Sequence, residues 1–127
     1  MEQQAITNEI RNKARELAED YGADFVVELV GDYLGEAEVR MARLRQALAG
    51  GDAKTVNFEA HTLKSSSANF GAMAFADLAK HFEDASREGN LAALLGDVEN
   101  FERQFAAVKT SLEELRSAPE QFIAQER

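Results

Sequence analysis

Residues 59–71 read EAHTLKSSSANFG, and the rest of the chain is organised around this stretch. At about 100° per residue, a helix through it has two faces. One face is apolar or small, predicts contact with a core, and carries Val56, Ala60, Leu63, Ser67, Phe70 and Ala74. The opposite face is polar and small, is expected to be the functional surface, and carries Asn57, His61, Lys64, Ser65 and Ala68.

Composition and patterning predict an all-α protein of one domain. The chain has 127 residues, and its hydrophobic fraction of 45% is ordinary for a globular protein. Long alternating apolar runs and Asn-Gly or Asp-Gly pairs, which are typical of β-hairpins, do not occur. Good helix formers dominate the interior of the sequence instead. The single proline, Pro119, breaks the last helical pattern, so we place the domain at residues 1–118 and a C-terminal tail at 119–127.

Charge and cysteine content exclude several classes of function. The net charge of −9 argues against nucleic-acid binding, which needs a basic patch. Without cysteine, the chain has no disulfide, no thiolate zinc site and no thiol nucleophile. No stretch approaches the ~20 apolar residues of a membrane span, and the opening MEQQ is unlike a signal peptide. We therefore expect a cytoplasmic protein that binds neither nucleic acid nor membrane.

Glycine stops and N-cap residues divide the chain into five predicted helices. Their expected bounds are about 8–21, 24–49, 53–70, 73–88 and 91–116. The first is short and capped by Thr7 or Asn8, behind a frayed lead-in over residues 1–5. The expected caps of the second, third and fifth are Asp24, Asp52 and Asn90. Because short connections favour antiparallel neighbours, the last four should form an up-down-up-down four-helix bundle, with the first covering one end.

His61 is the chemically distinctive side chain of the exposed face. An exposed imidazole is largely neutral at pH 7 and nucleophilic. Lys64, one turn later, would stabilise a negative group delivered to that ring, such as a phosphoryl group. Ser65 and Ala68 are small, so a partner's surface could approach closely. On spacing alone, however, an ordinary exposed histidine beside an ordinary lysine explains the pattern better.

Two other chemistries fit the sequence poorly. The serines at 65–67 adjoin His61, but no Gly-x-Ser-x-Gly elbow or matching carboxylate accompanies them. Two histidines and scattered acids are a thin set of metal ligands, and His81 belongs to another helix. We therefore expect neither a serine triad nor a metal site, and we interpret His81 as an ordinary surface residue.

Residues 60–71 closely resemble the signature of histidine-containing phosphotransfer (HPt) domains. That signature has an alanine–histidine pair, a lysine three residues after the histidine, small residues behind it and a glycine ten after it. The resemblance extends over about residues 8–116. Many members have glycine directly after the lysine, where this chain has Ser65, and glycine or alanine at the position of Ala68.

The resemblance implies an antiparallel helical bundle and a set of site residues. His61 would accept the phosphoryl group through Nε2, and Lys64 would neutralise it. Glu83 matches the position, 22 residues after the histidine, where members related to the chemotaxis kinase carry a glutamate that accepts a hydrogen bond from Nδ1–H. A solvated surface acid is the open alternative for Glu83. From their positions around His61 on the helical wheel, and not from the resemblance, the expected partner-binding residues are Lys54, Asn57, Phe58, Ser65 and Ala68, although Phe58 could instead flank the core.

The same resemblance implies a phosphorelay intermediate. It would take a phosphoryl group from an aspartate in the receiver domain of a hybrid histidine kinase and pass it to the receiver of a response regulator. Such a module needs no cofactor, since Mg²⁺ would belong to the receiver, and no P-loop or kinase glycine-rich loop occurs here. We expect a monomer, and whether it counts as an enzyme stays open. The alternatives are direct phosphorylation by a chemotaxis-type kinase and a non-catalytic helical adaptor.

Overall fold

The structure of the chain, a computed structural model, describes residues 2–125 and is almost entirely helical. Over these residues, six α-helices and one 3₁₀ helix follow one another. They are α1 (Glu2–Tyr21), α2 (Ala23–Gly50), α3 (Ala53–Ala68), α4 (Met73–Arg87), the 3₁₀ helix (Leu91–Asp97), α5 (Val98–Ser117) and α6 (Pro119–Ala124). Because residues 2–125 contain no strand, the all-α prediction is confirmed.

The apolar faces of the helices meet in one core. Helix α3 packs on α2 and α4, while α5 contacts α1, α2 and α4. Phe101 of α5 stacks on Phe75 and Phe82 of α4, with ring centroids 4.8 and 4.4 Å apart. Large rings in such offset stacks contribute more than their buried area alone. None of the helices formed by residues 2–125 has the length and apolar character needed to cross a membrane.

The predicted core face of α3 is buried, with one exception. Val56, Ala60, Leu63, Ser67 and Phe70 are all buried, whereas Ala74 is exposed. The reason lies at Gly71, which adopts the left-handed conformation with φ of 80° and ends the periodicity of α3. A Cβ at Gly71 would lie 2.8 Å from the backbone oxygen of Glu9 in α1, so only glycine fits here.

Two polar contacts hold α3 on α2. Oη of Tyr33 lies 2.7 Å from Oγ of Ser67. Burial raises the pKa of Tyr33 and outweighs the opposite effect of this hydrogen bond, so that the pKa is about 12. Nη1 of Arg40 donates to Oε1 of the buried Glu59 at 2.8 Å. A buried carboxylate needs such a partner. Ser67 belongs to the core face of α3 and Glu59 adjoins it, so both contacts help to hold that face against α2.

The predicted start of the first helix is wrong. Helix α1 begins at Glu2, so the expected lead-in is helical from residue 2, and Met1 lies outside the described residues. Thr7 is not a cap; its hydroxyl lies 2.7 Å from Oγ of Ser111 in α5, and Gln3 donates to the same oxygen at 2.9 Å. These bonds tie the first turns of α1 to a helix about a hundred residues away in the chain, which local patterning does not reveal.

The other boundaries are partly as predicted. Asp52 caps α3 and accepts from the backbone N–H of Thr55 at 3.1 Å, which confirms that N-cap. Asp24 lies in the first turn of α2, where its charge suits the helix dipole, but it is not the cap. The expected fifth helix is in fact two elements, since the 3₁₀ helix precedes α5 and Asn90 makes no capping bond. Gly96, a poor helix former, lies at that junction.

Helix α6 packs back on the bundle. Its Phe122 is buried, and the guanidinium of Arg11 lies 4.8 Å from the centre of that ring. Nε of Arg11 donates to the carbonyl of Phe122 and Nε of Arg15 to that of Ile123, both at 2.8 Å. Two cations of α1 therefore satisfy carbonyls at the C-terminal end of α6, where the helix dipole is negative. Residues 126 and 127 of the predicted tail lie outside the described residues.

Candidate functional site

His61 lies midway along α3, on the face opposite the core. Its side chain is 59% exposed. The neighbouring Ser65 is exposed and Ala68 is half-buried, so no large side chain of α3 stands over the ring on that side. The predicted exposure of the imidazole is therefore confirmed.

Glu83 of α4 lies directly behind this histidine. Its side chain is only 7% exposed, with Oε2 2.6 Å from Nδ1 of His61 and Oε1 2.7 Å from Nζ of Lys64. A solvated surface acid, the alternative left open by the sequence, is therefore wrong. The packing of α4 on α3 joins the three residues that the resemblance singled out.

The charge of Glu83 decides which ring nitrogen carries the proton. Burial alone would raise the pKa of Glu83, but hydrogen bonds from Lys64 and His61 outweigh it, and the pKa is lowered. The carboxylate is therefore ionised at neutral pH and can only accept. Nδ1 of a neutral His61 must then hold the proton, which leaves the lone pair on Nε2 free in an exposed ring.

Arg87 adds a second cation to the site, which the sequence did not identify. It lies one turn after Glu83 on α4, with Nη2 3.6 Å from Oε2 of Glu83 and Nη1 3.3 Å from Oδ1 of Asp84. Its side chain is mostly exposed. Spacing could have indicated it, because residues four apart on a helix are neighbours, but only if Glu83 was already assigned to the site.

Asn57 is in the site, although not as an exposed surface residue. It is half-buried, and its Nδ2 donates to the main-chain carbonyl of Glu83 at 2.8 Å. That carbonyl also accepts from Oγ of the buried Ser86 at 2.9 Å. The structure thus brings Asn57 together with Glu83. The sequence had placed Asn57 among the partner-binding residues from its spacing to His61 alone.

Three of the other predicted contact residues, Lys54, Phe58 and Ser65, are exposed on α3. Phe58 is 60% exposed, so it does not flank the core, and the guanidinium of Arg40 lies 5.8 Å from its ring centre. Lys54 and Ser65 are also exposed. This face therefore combines an exposed aromatic ring beside Arg40 with the exposed cation of Lys54, in a chain whose net charge is −9.

The second histidine has a different environment. Nε2 of His81 lies 3.0 Å from Oδ2 of Asp97, so the nitrogen equivalent to the free one of His61 is already engaged. No cluster of three or more histidines and acids suited to a metal ion occurs among residues 2–125. A surface depression of about 510 Å³ lies between α5 and α6 and is lined by residues such as Thr110 and Phe122, away from His61. The candidate site is thus an open protein surface.

Comparison with known proteins adds two matches. The family model of the Hpt domain matches residues 28–118, a span from α2 to the end of α5 that includes the candidate site. The structure is similar to the crystal structure of histidine-containing phosphotransfer protein B (HptB) from Pseudomonas aeruginosa PAO1. The two share 30% sequence identity with a TM-score of 0.77, over 84% of this chain and 91% of that one. No curated protein sequence matches this chain significantly.

Proposed function

We infer the reaction at the site from one premise: this chain belongs to the histidine-containing phosphotransfer family and is a histidine phosphotransfer protein of phosphorelays. We propose that His61 carries the phosphoryl group on Nε2. The observation that supports this most directly is the 2.6 Å contact between Nδ1 of His61 and Oε2 of Glu83, which leaves Nε2 unprotonated and exposed.

The transfer step needs no proton to leave the ring. The Nε2 lone pair attacks the phosphorus of a receiver's aspartyl phosphate, and the P–O bond breaks with its electron pair leaving on the aspartate carboxylate. The ring keeps its Nδ1 proton and becomes cationic, and the adjacent charge of Glu83 stabilises that cation. In the onward step the P–N bond breaks and its electron pair returns to Nε2. The same arrangement therefore serves both directions.

Lys64 and Arg87 are proposed to neutralise the phosphoryl group. Nζ of Lys64 contacts Oε1 of Glu83, and Arg87 lies 3.6 Å from the other oxygen, so both cations lie beside the reacting ring. A cation aimed at developing negative charge is a strong source of rate enhancement when it is held in place beforehand. Glu83 holds Lys64 in this way.

The exposed part of α3 is proposed to be the surface that docks the receiver. Small side chains at Ser65 and Ala68 let a receiver approach His61, Phe58 supplies an apolar contact, and Lys54 faces solvent. Interaction with receiver domains is general for this family; a hybrid kinase and a response regulator are the proposed owners of those receivers. Any Mg²⁺ would be bound by the receiver's acidic residues, and no cofactor is proposed for this chain.

Several finer expectations stay predictions. Helices α2 to α5 are proposed to run up, down, up and down, with α1 covering one end, and the domain is proposed to span residues 1–118 with the tail at 119–127. We also propose a monomer that acts in the cytoplasm. The comparisons do not favour direct phosphorylation by a chemotaxis-type kinase or a purely non-catalytic adaptor.

Phosphotransfer from a receiver tests the assignment of His61. A receiver domain carrying a radiolabelled aspartyl phosphate is mixed with the wild type, with His61→Gln and with the matched control His81→Gln. We expect acid-labile, base-stable label on the wild type and on His81→Gln, and none on His61→Gln. If His61→Gln accepts label as well as the wild type, the assignment is wrong.

A further inference from the structure

Three side chains of one stripe of α3 bond to a single residue of α4. Asn57, His61 and Lys64 are separated by four and then three residues, so they lie in line along the helix. His61 and Lys64 bond to the two carboxylate oxygens of Glu83, at 2.6 and 2.7 Å. Asn57 bonds to the main chain of the same residue, at 2.8 Å from its carbonyl oxygen. Glu83 is thus held at both ends.

The main-chain bond matters because a glutamate side chain is flexible. Three torsions separate the carboxylate of Glu83 from its Cα, so a small shift of α4 along α3 would move Oε2 out of hydrogen-bond range of Nδ1. Ser86 bonds to the same carbonyl but belongs to the same helix, so it cannot fix α4 relative to α3. Asn57 reaches the carbonyl from α3 itself, one turn before His61.

We propose that Asn57 is a positioning residue: by fixing the main chain of Glu83 against α3, it keeps the carboxylate on Nδ1 of His61 and so keeps Nε2 free. Its importance for phosphotransfer rests on the proposed function of His61. Asn57 acts through Glu83 and does not touch the phosphoryl group. Its half-buried amide is already engaged by α4, which argues against a main role as a contact for the receiver.

The proposal predicts a change in the tautomer of His61 when the bond is lost. Asn57→Ala removes the donor, and Asn57→Asp replaces it at the same size with an oxygen that repels the carbonyl. In both variants the hydrogen bond between Glu83 and Nδ1 should form in a smaller fraction of the molecules, so the fraction of His61 with its proton on Nε2 should rise. Lys64 still bonds to Oε1 in these variants, so the fraction of the Nδ1–H form should fall less than it does when Glu83 itself is removed. We expect phosphorylation of His61 to slow on the order of ten-fold, because catalytic groups misplaced by 1 Å can cost more than that.

The test reads the ring nitrogens of His61 directly. The full-length, unphosphorylated chain is labelled with ¹⁵N at its histidines and studied by NMR near neutral pH. The wild type is compared with three variants, Asn57→Ala, Asn57→Asp and Thr62→Ala. Thr62 is the matched control: its hydroxyl donates at 3.2 Å to Phe58 within α3, so its loss leaves the bonds to α4 intact. We expect the Nδ1–H form to dominate in the wild type and in Thr62→Ala, and the Nε2–H form to grow in both Asn57 variants.

Two further measurements decide what Asn57 acts through. In a Glu83→Ala background, Asn57→Ala should change neither the ring signals nor the phosphorylation rate further, because the two residues act as one unit. Additive effects would contradict the proposal. It is also wrong if Asn57→Ala and Asn57→Asp keep the ring signals of the wild type and only weaken receiver binding. Since the ring signals come from the unphosphorylated chain, they stand even if His61 proves not to be the phosphoacceptor.

Discussion

Nζ of Lys64 lies 2.7 Å from Oε1 of Glu83, on the carboxylate whose other oxygen contacts His61. The lysine therefore has a charged partner within the protein itself. Its side chain is 29% exposed, so it can turn toward a group on Nε2 without leaving a buried site. This pair keeps the cation of Lys64 close to the ring of His61, and under the proposed function the phosphoryl group would be a second partner for it.

Removing the charge of Lys64 should slow phosphorylation of His61. Lys64→Met keeps most of the aliphatic stem but supplies no positive charge to the phosphoryl group, and we expect the rate of transfer from a receiver to fall about ten-fold or more. Lys80→Met is the control, since Lys80 is an exposed lysine of α4 that pairs with Asp84. Rapid-quench measurement of the label on His61 checks this. Equal rates in the two variants would show that Lys64 has no role in the transfer.

The lowered pKa of Glu83 predicts how stability depends on pH. The folded pKa of Glu83 lies below its ordinary value of 4.5, which applies to the unfolded chain, so the unfolded chain takes up this proton first as the pH falls. The contribution of Glu83 to stability is thus fully present above that value and is lost as the pH falls through the folded pKa. We expect the difference in unfolding free energy between the wild type and Glu83→Gln to be largest near neutral pH and to shrink in acid.

Denaturant unfolding at a series of pH values from 3 to 7 checks this dependence. Glu88→Gln serves as the control, because Glu88 is an exposed acid at the end of the same helix. Parallel loss of stability in wild type and Glu83→Gln across that range would mean that the bonds to Lys64 and His61 do not favour the ionised carboxylate.

Substitution of two glycines by alanine should change the unfolding free energy in opposite directions. Gly35 is exposed within α2, and nothing lies within 4 Å of a Cβ added there, so Gly35→Ala should raise the unfolding free energy by about 0.5–1 kcal/mol. At Gly71 the φ of 80° and the nearby oxygen of Glu9 both oppose a side chain, so Gly71→Ala should lower it by more than about 1 kcal/mol. Thermal and denaturant unfolding of the two variants and the wild type measures whether each substitution raises or lowers the unfolding free energy. A stable Gly71→Ala would contradict the close approach of α1.

Removing the ring of Phe122 should destabilise the protein without slowing phosphotransfer. The ring is buried beneath Arg11, so Phe122→Ala is expected to cost about 3 kcal/mol. Helix α6 packs on α1, α5 and α2, so folded protein should accept label on His61 at the wild-type rate. Gln121→Ala, at an exposed position of the same helix, is the control. A slower transfer with unchanged stability would indicate that α6 takes part in the reaction.

Local sequence determined those features that depend on neighbours along the chain. The helical period separates the core face of α3 from the face of His61, the carboxylate of Asp52 caps the helix from three residues away, and Gly71 ends it with a conformation other residues avoid. Each of these depends on interactions within about one turn. They are sufficient to predict an all-α fold and an exposed histidine beside a lysine.

The resemblance implied a carboxylate behind that histidine but left a solvated acid open, and the packing of two helices distinguished the two. Glu83 is 22 residues away in the chain, and its carboxylate reaches Nδ1 only because α4 packs on α3 in one register, which Asn57 spans. The early start of α1 depends likewise on Ser111, and the docking of α6 on Arg11. A hydrogen bond is lost when its atoms shift by less than about 1 Å, whereas helical periodicity predicts only which side chains share a face. The residues of α3 therefore predicted an exposed histidine, their resemblance to a known family singled it out as a phosphoacceptor, and the packing of α4 on α3 supplied the contact that leaves Nε2 free.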